Sequence, residues 1–469
     1  MVDTDPGFPG LPKELGMAVL HRALRKGGDL AELFVEERRS LSLRLEDRKV
    51  EDVVSGVDRG SSVRVVRGPS TYFGYVDAVD ELSLQGLASR LSSGGDGRPG
   101  EAAPLVEGER GTGQSVEQRP DGVEVSTKSA LLRLVDETCR GLSPEVRQVA
   151  AVYAESVQRI WVVNSRGVFA TDERTRVMIA VTVMAQRDGV IQTGRETLAH
   201  YGGYELLTEQ AVCDVARKAA EKAVVMLSAV PAPAGRMPVI LANGFGGVLF
   251  HEACGHGLEA DYILKKTSVW EGKLGQAVAG GHVSAYDDGV GAGLWGSAGC
   301  DDEGTPCERT VVISEGILTS YLSDLLRAEK LGLPLTGNGR RQDYRHLPYP
   351  RMTNTYFGPG NATCEEIIAD TSRALYAKSL SGGEVNPATG DFVFGVAEGY
   401  MVENGQVGVP VRGATLVGSG LEVLMSIDVI ANDLDIKAGM CGKEGQMVPV
   451  GSGQPTLRIR ELTIGGTSL

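Results

Sequence analysis

A chain of 469 residues, 42% of them apolar and 23% charged, is long enough for two or three domains with separate cores and too apolar to be disordered in the main. Its 61 acidic side chains against 47 basic ones leave a net charge of −14, which opposes binding to a nucleic-acid backbone or an anionic lipid surface. No run approaches the roughly 18 uninterrupted apolar residues of a membrane span, and the opening MVDTDPGFPGLPKELG lacks the basic start and apolar core of a secretory signal, so a cytoplasmic protein with neither membrane nor nucleic acid as partner is expected.

The first element is a helix, from the apolar spacing of KELGMAVLHRALRK (13–26). Short strands with alternating polarity follow: LSLRLED, VEDVVSG, SSVRVVRG and TYFGYVDA. A helix near 82–92 closes this meander, and a Gly-, Pro- and Ser-rich stretch over about 93–118 is expected to be a flexible loop. Beyond it come a helix around 128–140, the strands VAAVYAESVQRIWVVN and VMIAVTVMAQRDG, and an amphipathic helix over about 209–227. SAVPAPAGRMP then reads as a proline-rich tether, which divides the chain into an N-terminal domain (1–228), a linker (229–236) and a C-terminal domain (237–469).

The C-terminal domain opens on an apolar strand, PVILANG, and then alternates short strands with glycine-rich loops that bring backbone close to something. Its last region, from LEVLMSIDVI to LRIRELTIGG, reads as strand, loop, strand, with Cys441 at the centre of the loop. The fold class is therefore α+β: a mixed strand and helix domain followed by a glycine-rich, strand-rich one. Seven dispersed cysteines, an odd number, do not form a disulfide framework. At least one is free for packing, metal or redox chemistry.

The chemistry concentrates in VLFHEACGHGLEAD (248–261), which holds two of the six histidines. Hydrolysis at a metal needs about three protein ligands, an open position, and a carboxylate that can take the proton of the activated water. His251, His256 and Glu252 supply two ligands and the base, Glu252 flanking the metal without ligating it. The spacing is one residue too long: histidines four apart differ by about 40° around a helix, whereas five apart differ by about 140° and diverge. A π-bulge, or a break at Gly255, would restore convergence. The third ligand is open on spacing alone: Cys254 lies nearer to His251 on an ideal helix, and Cys441, 185 residues beyond His256, is its rival.

HEACGHGLEAD, together with GNGRR, PRMTNTY and CGKEGQMVPVGSGQPTLR in that order, resembles the TldD family of bacterial and archaeal metallopeptidases, with a weaker likeness in VEDVVSGVDRGSSVRVV. The resemblance implies metal ligands at His251, His256 and Cys441, with Glu252 as general base. It places Cys254 where the family carries an apolar residue. It further implies cleavage of unfolded or leader peptides inside a closed dimer, either a homodimer or a heterodimer with a TldE/PmbA-like subunit that lacks the motif. One thiolate and two imidazoles also suit Zn²⁺ on softness.

Other residues carry weaker expectations. Glu259 and Asp261 could orient His256 or end a solvated helix. Asn338, Arg340 and Arg341 could contact peptide backbone or carboxylate, or be plain surface structure. His282 reads as a loop histidine. A metal-bearing scaffold that binds peptides and cleaves little is the competing function; Glu252 argues against it, because a structural site needs no uncoordinated carboxylate.

Overall fold

The computed structural model describes residues 9–95, 97–108 and 114–466. Helix α1 (Lys13–Ala23) leads into the long antiparallel pair β1 (Leu30–Glu46) and β2 (Lys49–Arg67), followed by β3 (Ser70–Val76) and α2 (Glu81–Ser92). LSLRLED is thus the end of one long strand, and VEDVVSG and SSVRVVRG are a single strand. The only turn between β1 and β2 is Asp47–Arg48, both at positive φ, and Gly56 and Gly60 do not break the register. At Gly60 a side chain is excluded for another reason: a Cβ would stand 2.1 Å from the ring of Tyr344 in the C-terminal half.

After β4 (Val106–Glu107) come α3 (Val125–Leu142), β5 (Val146–Asn164), β6 (Val168–Arg187), β7 (Val190–Tyr201) and α4 (Glu209–Met226). The seven strands form one sheet in the order β3-β2-β1-β5-β6-β4, with β7 also on β6. VIQTGRETLAHY escapes the alternation test because β7 pairs only with β6 and keeps a largely polar sequence. One face of the sheet is covered at one end by α1 and α2, around Leu33, Val35, Val63 and Val65, and at the other by α3 and α4, around Leu43, Leu45, Val149 and Val181.

Of the stretch expected to be a flexible loop over 93–118, residues 96 and 109–113 lie outside the described residues. The remainder is tied down: Gly97 and Gly100 donate to the carbonyls of Lys26 and Leu24, Ala103 donates to Ser165, and β4 pairs in parallel with β6. The proline-rich stretch after α4 also carries structure. Val230–Pro231 pairs with the strand Gln406–Arg412 at a sheet edge, where proline is tolerated, and Ala232 is fully buried.

The C-terminal half holds an eight-stranded and a six-stranded sheet. The first contains Gly235–Leu241 and Leu457–Gly465; the second runs from Ile317–Leu318 through Arg309–Ser314, Ala285–Asp288, Asn354–Phe357 and Gln446–Gln454 to the outer strand Asp435–Lys443. Their shared core takes Leu241, Leu416 and Ile459 from one sheet, Ala285 and Phe357 from the other, and Leu249, Phe250 and Ala253 from the helical segment that carries the histidines. LEVLMSIDVI is not one strand but a helix, Gly420–Ser426, running into a short strand, Ile427–Ile430. Cys441 is not at a loop centre either. It sits on a hairpin strand opposite Val448, and the turn falls at Glu444–Gly445, both at positive φ. Among the described residues no helix is long and apolar enough to cross a membrane.

The two halves are joined by buried ion pairs. Arg64 on β2 reaches Glu32 at 2.6 Å and Glu303 at 2.7 Å, Arg341 reaches Glu32 at 2.6 Å, and Arg174 on β6 reaches Asp302 at 2.7 Å. Breaking such a pair from one side strands a buried charge and costs about 3–5 kcal/mol. Arg64→Met, which leaves Glu303 without its guanidinium, should therefore lower the urea midpoint of unfolding markedly. An unchanged midpoint would show that these pairs do not hold the halves together.

Candidate metal centre

The segment Val248–Leu258 changes its winding where the chemistry lies. One α-turn (Val248–Phe250) passes into a π-helical stretch (His251–Gly255) and then a 3-10 turn (His256–Leu258). The His256 N–H donates to the His251 carbonyl five residues back. That closure stacks residues five apart, so both imidazoles face the same way, with centroids 5.2 Å apart and planes at 84°. Gly255 is needed within the bulge because Met352 packs against it: a Cβ there would lie 2.1 Å from the Met352 sulfur.

Cys441 completes the cluster. Its Sγ is 3.4 Å from His256 Nε2, and one donor atom from each of His251, His256 and Cys441 lies within 4.8 Å of the others, all three residues buried. Ligands about 2.0–2.3 Å from a tetrahedral zinc stand roughly 3.3–3.8 Å apart, so only a small contraction separates this arrangement from a metal-holding one. Charge gathers on the donors. Burial alone would raise the Cys441 thiol, but the adjacent His251 and His256 bring it down to about 4. Burial disfavours the charged form of His256, yet Glu259 and Cys441 together hold its pKa well above the usual histidine value, so this ring must give up a proton before it can ligate a metal. Cys254 points instead into the apolar core beside Leu249 and Phe250, where burial pushes its thiol up.

Glu252 stands at the edge of the cluster, its Oε2 3.7 Å from His256 Nε2 and its side chain 27% exposed. It is the group that joins the buried donors to solvent. Behind the donors the remaining ring nitrogens are engaged: His251 Nδ1 lies 3.2 Å from Thr355 Oγ1, and His256 Nδ1 lies 3.1 Å from Glu259 Oε2. Glu259 is no solvated helix end. It is fully buried and, although burial favours its neutral form, Lys443 and His256 hold its carboxyl down to about 2. Lys443 Nζ donates to Glu259 at 2.8 Å and to Asp261 at 2.6 Å, and Arg351 donates to the Cys441 carbonyl at 2.6 Å.

Thr355, Arg351 and Lys443 are the site residues that sequence reasoning missed. All lie in the blocks PRMTNTY and CGKEG, but no spacing rule singles them out. Asn338, Arg340 and Arg341 are not plain surface; all three are buried and bonded within the chain. Asn338 donates to Asp287 and the Arg351 carbonyl, Arg340 to the carbonyls of Met352 and Pro449, and Arg341 to Glu32 and the Asp302 carbonyl. Buried guanidinium groups need such acceptors, and these have found them within the chain. His282 is exposed in a turn outside the cluster.

Comparison with known proteins agrees with this geometry. Three family models match in order: PmbA/TldA metallopeptidase domain 1 over residues 31–93, the central domain over 118–227 and the C-terminal domain over 234–466. The metalloprotease TldD homolog of Haemophilus influenzae is 38% identical over 94% of this chain and 93% of its own length. The zinc metalloprotease TldD homolog of Saccharolobus solfataricus is 28% identical over 90% of this chain and 93% of its own. The crystal structure of TldE from Thermococcus kodakarensis shares the fold, with a TM-score of 0.78 at 18% identity, covering 96% of this chain and all of that one. With models of all three domains and close TldD homologues along nearly its whole length, the chain belongs to the PmbA/TldD metallopeptidase family as a TldD-type metalloprotease.

Proposed function

We propose that the protein is a zinc-dependent peptidase acting on unfolded or leader peptides, with His251, His256 and Cys441 as ligands and Glu252 as general base. The observation that carries this reading is the π-helical turn, which brings both imidazoles onto one thiolate while leaving Glu252 beside them and open to solvent. Three protein donors of this softness suit Zn²⁺ and leave a position free, as catalytic sites do. Zn²⁺ held there would supply Lewis acidity toward a peptide carbonyl and toward water.

The chain's own residues do the rest. Glu252 accepts the proton of the attacking water and returns it to the leaving amine. Glu259 and Thr355 occupy the outer ring nitrogens of the histidines, so that the inner ones stay available. An extended peptide can be held through main-chain hydrogen bonds to a strand edge, with loose dependence on its side chains. Family membership supports assembly in the cytoplasm as a homodimer or with a TldE/PmbA-like subunit, a closed arrangement that would keep folded proteins away from the site.

Three outcomes test the reading. Purified protein should carry about one zinc per chain, Cys441→Ser should lower this sharply, and Cys254→Ser should leave it largely intact; the reverse order by metal analysis would reject the ligand set. Glu252→Gln keeps the volume but removes the proton acceptor. Peptide cleavage should fall by ~100-fold or more with zinc retained, and parental turnover in this variant would exclude Glu252 as base. Finally, with and without a candidate partner, an unfolded protein should be degraded while its folded form survives. Equal cleavage of the two would rule out an enclosed site.

A further inference from the structure

Each proposed ligand is gripped from behind, and the grips share one origin. Arg351 Nη2 donates to the carbonyl of Cys441 at 2.6 Å. The backbone N–H of Met352 donates to Glu259 Oε1 at 3.3 Å, and the other oxygen of that carboxylate lies 3.1 Å from His256 Nδ1. Thr355 Oγ1 lies 3.2 Å from His251 Nδ1. Three residues within a run of five, none of them a proposed ligand, thus reach all three ligands: Arg351 and Thr355 directly, and Met352 through Glu259. The Met352 side chain also fills the space left by Gly255 in the π-helical turn.

This segment is itself fixed. Thr353 donates from N and Oγ1 to Asp287 at 2.8 Å each, and Asn354 Nδ2 donates to the Asp288 carbonyl at 2.6 Å and to Ser297 Oγ at 2.9 Å. A rigid strap that touches the ligands only through their outer atoms can set their spacing without taking part in binding.

We infer that Arg351–Thr355 is a positioning strap that fixes His251, His256 and Cys441 in metal-binding geometry, with Thr355 as its positioning residue for His251. The inference rests on the ligand set proposed above. Outer hydrogen bonds of this kind typically change metal affinity by ~10–100-fold, and the single hydroxyl of Thr355 offers the cleanest test. Zn²⁺ affinity is read by competition with a chromogenic chelator, and geometry by the thiolate-to-metal band of Co²⁺-substituted protein. Thr355→Val should weaken Zn²⁺ by ~10–100-fold and perturb the band, while Thr355→Ser, which keeps the hydroxyl, should restore both.

Thr363→Ala serves as the control, because it removes the capping box of the helix Cys364–Ala369, whose bonds lead neither to the strap nor to a ligand. It should lower thermal stability without altering affinity or the band. Parental Zn²⁺ affinity in Thr355→Val, or an equal loss in Thr363→Ala, would overturn the strap while leaving the ligand set standing. A parental protein that binds no Zn²⁺ would overturn the ligand set and the strap with it.

Discussion

One backbone hydrogen bond governs the site: the His256 N–H closes on the His251 carbonyl over five residues instead of four. In a regular helix these imidazoles would diverge by about 140°, and no arrangement of the remaining chain would bring both onto one point. Widening the turn costs intrahelical bonding, so it must be imposed from outside. Met352 is seated where any side chain at position 255 would stand, which suits the glycine in the turn. Neighbouring packing follows from the same need. Leu249, Phe250 and Ala253 anchor the flanks of the segment in the core between the two C-terminal sheets, leaving the histidines and Glu252 on its other side.

Around this turn the structure accumulates buried charge. Glu259, Asp261 and Lys443 are all almost wholly out of solvent, as are Arg351 and the ion pairs that link the two halves of the chain. Buried pairs are poor sources of stability compared with apolar packing of the same volume. Their geometry is nevertheless demanding, because an unmatched partner would be left charged in a medium of low polarity. Lys443 illustrates the use of that demand: it lies two residues beyond Cys441 on the same strand, so satisfying its bonds to Glu259 and Asp261 also sets where the sulfur stands. The hairpin is registered by charge as much as by its turn.

The N-terminal sheet serves the site indirectly. Glu32, Arg64 and Arg174 reach across to Glu303, Arg341 and Asp302, the segments that lead into the GNGRR and PRMTNTY blocks. Arg341, read from sequence as a peptide contact or plain surface structure, is buried in this joint. Arg340, its neighbour, ties the carbonyl of Met352, just before the strand Asn354–Phe357, to that of Pro449 on the strand Gln446–Gln454. A run of glycine, asparagine and arginine marks the place where backbone segments come close and their carbonyls need donors.

The α+β character and the two histidines and glutamate that gather with Cys441 were legible in the chain itself, because they depend on residue type and local periodicity. So was the need for a departure from α-helical winding, a π-bulge or a break at Gly255, of which the structure has the bulge. The helices α1 to α4 declared themselves by apolar spacing, whereas β7, lying on β6 with a largely polar sequence, carried no such mark. Only the tertiary structure shows where Cys254 and Cys441, left open by spacing and weighted toward Cys441 by the family resemblance, come to lie. Local geometry favours the first, but the core claims it, and a hairpin closed by Glu444–Gly445 delivers the second from 185 residues beyond His256. The roles of Thr355, Arg351 and Lys443 were likewise invisible beforehand, because a hydrogen bond between residues roughly a hundred or more positions apart leaves no periodicity and no spacing to read.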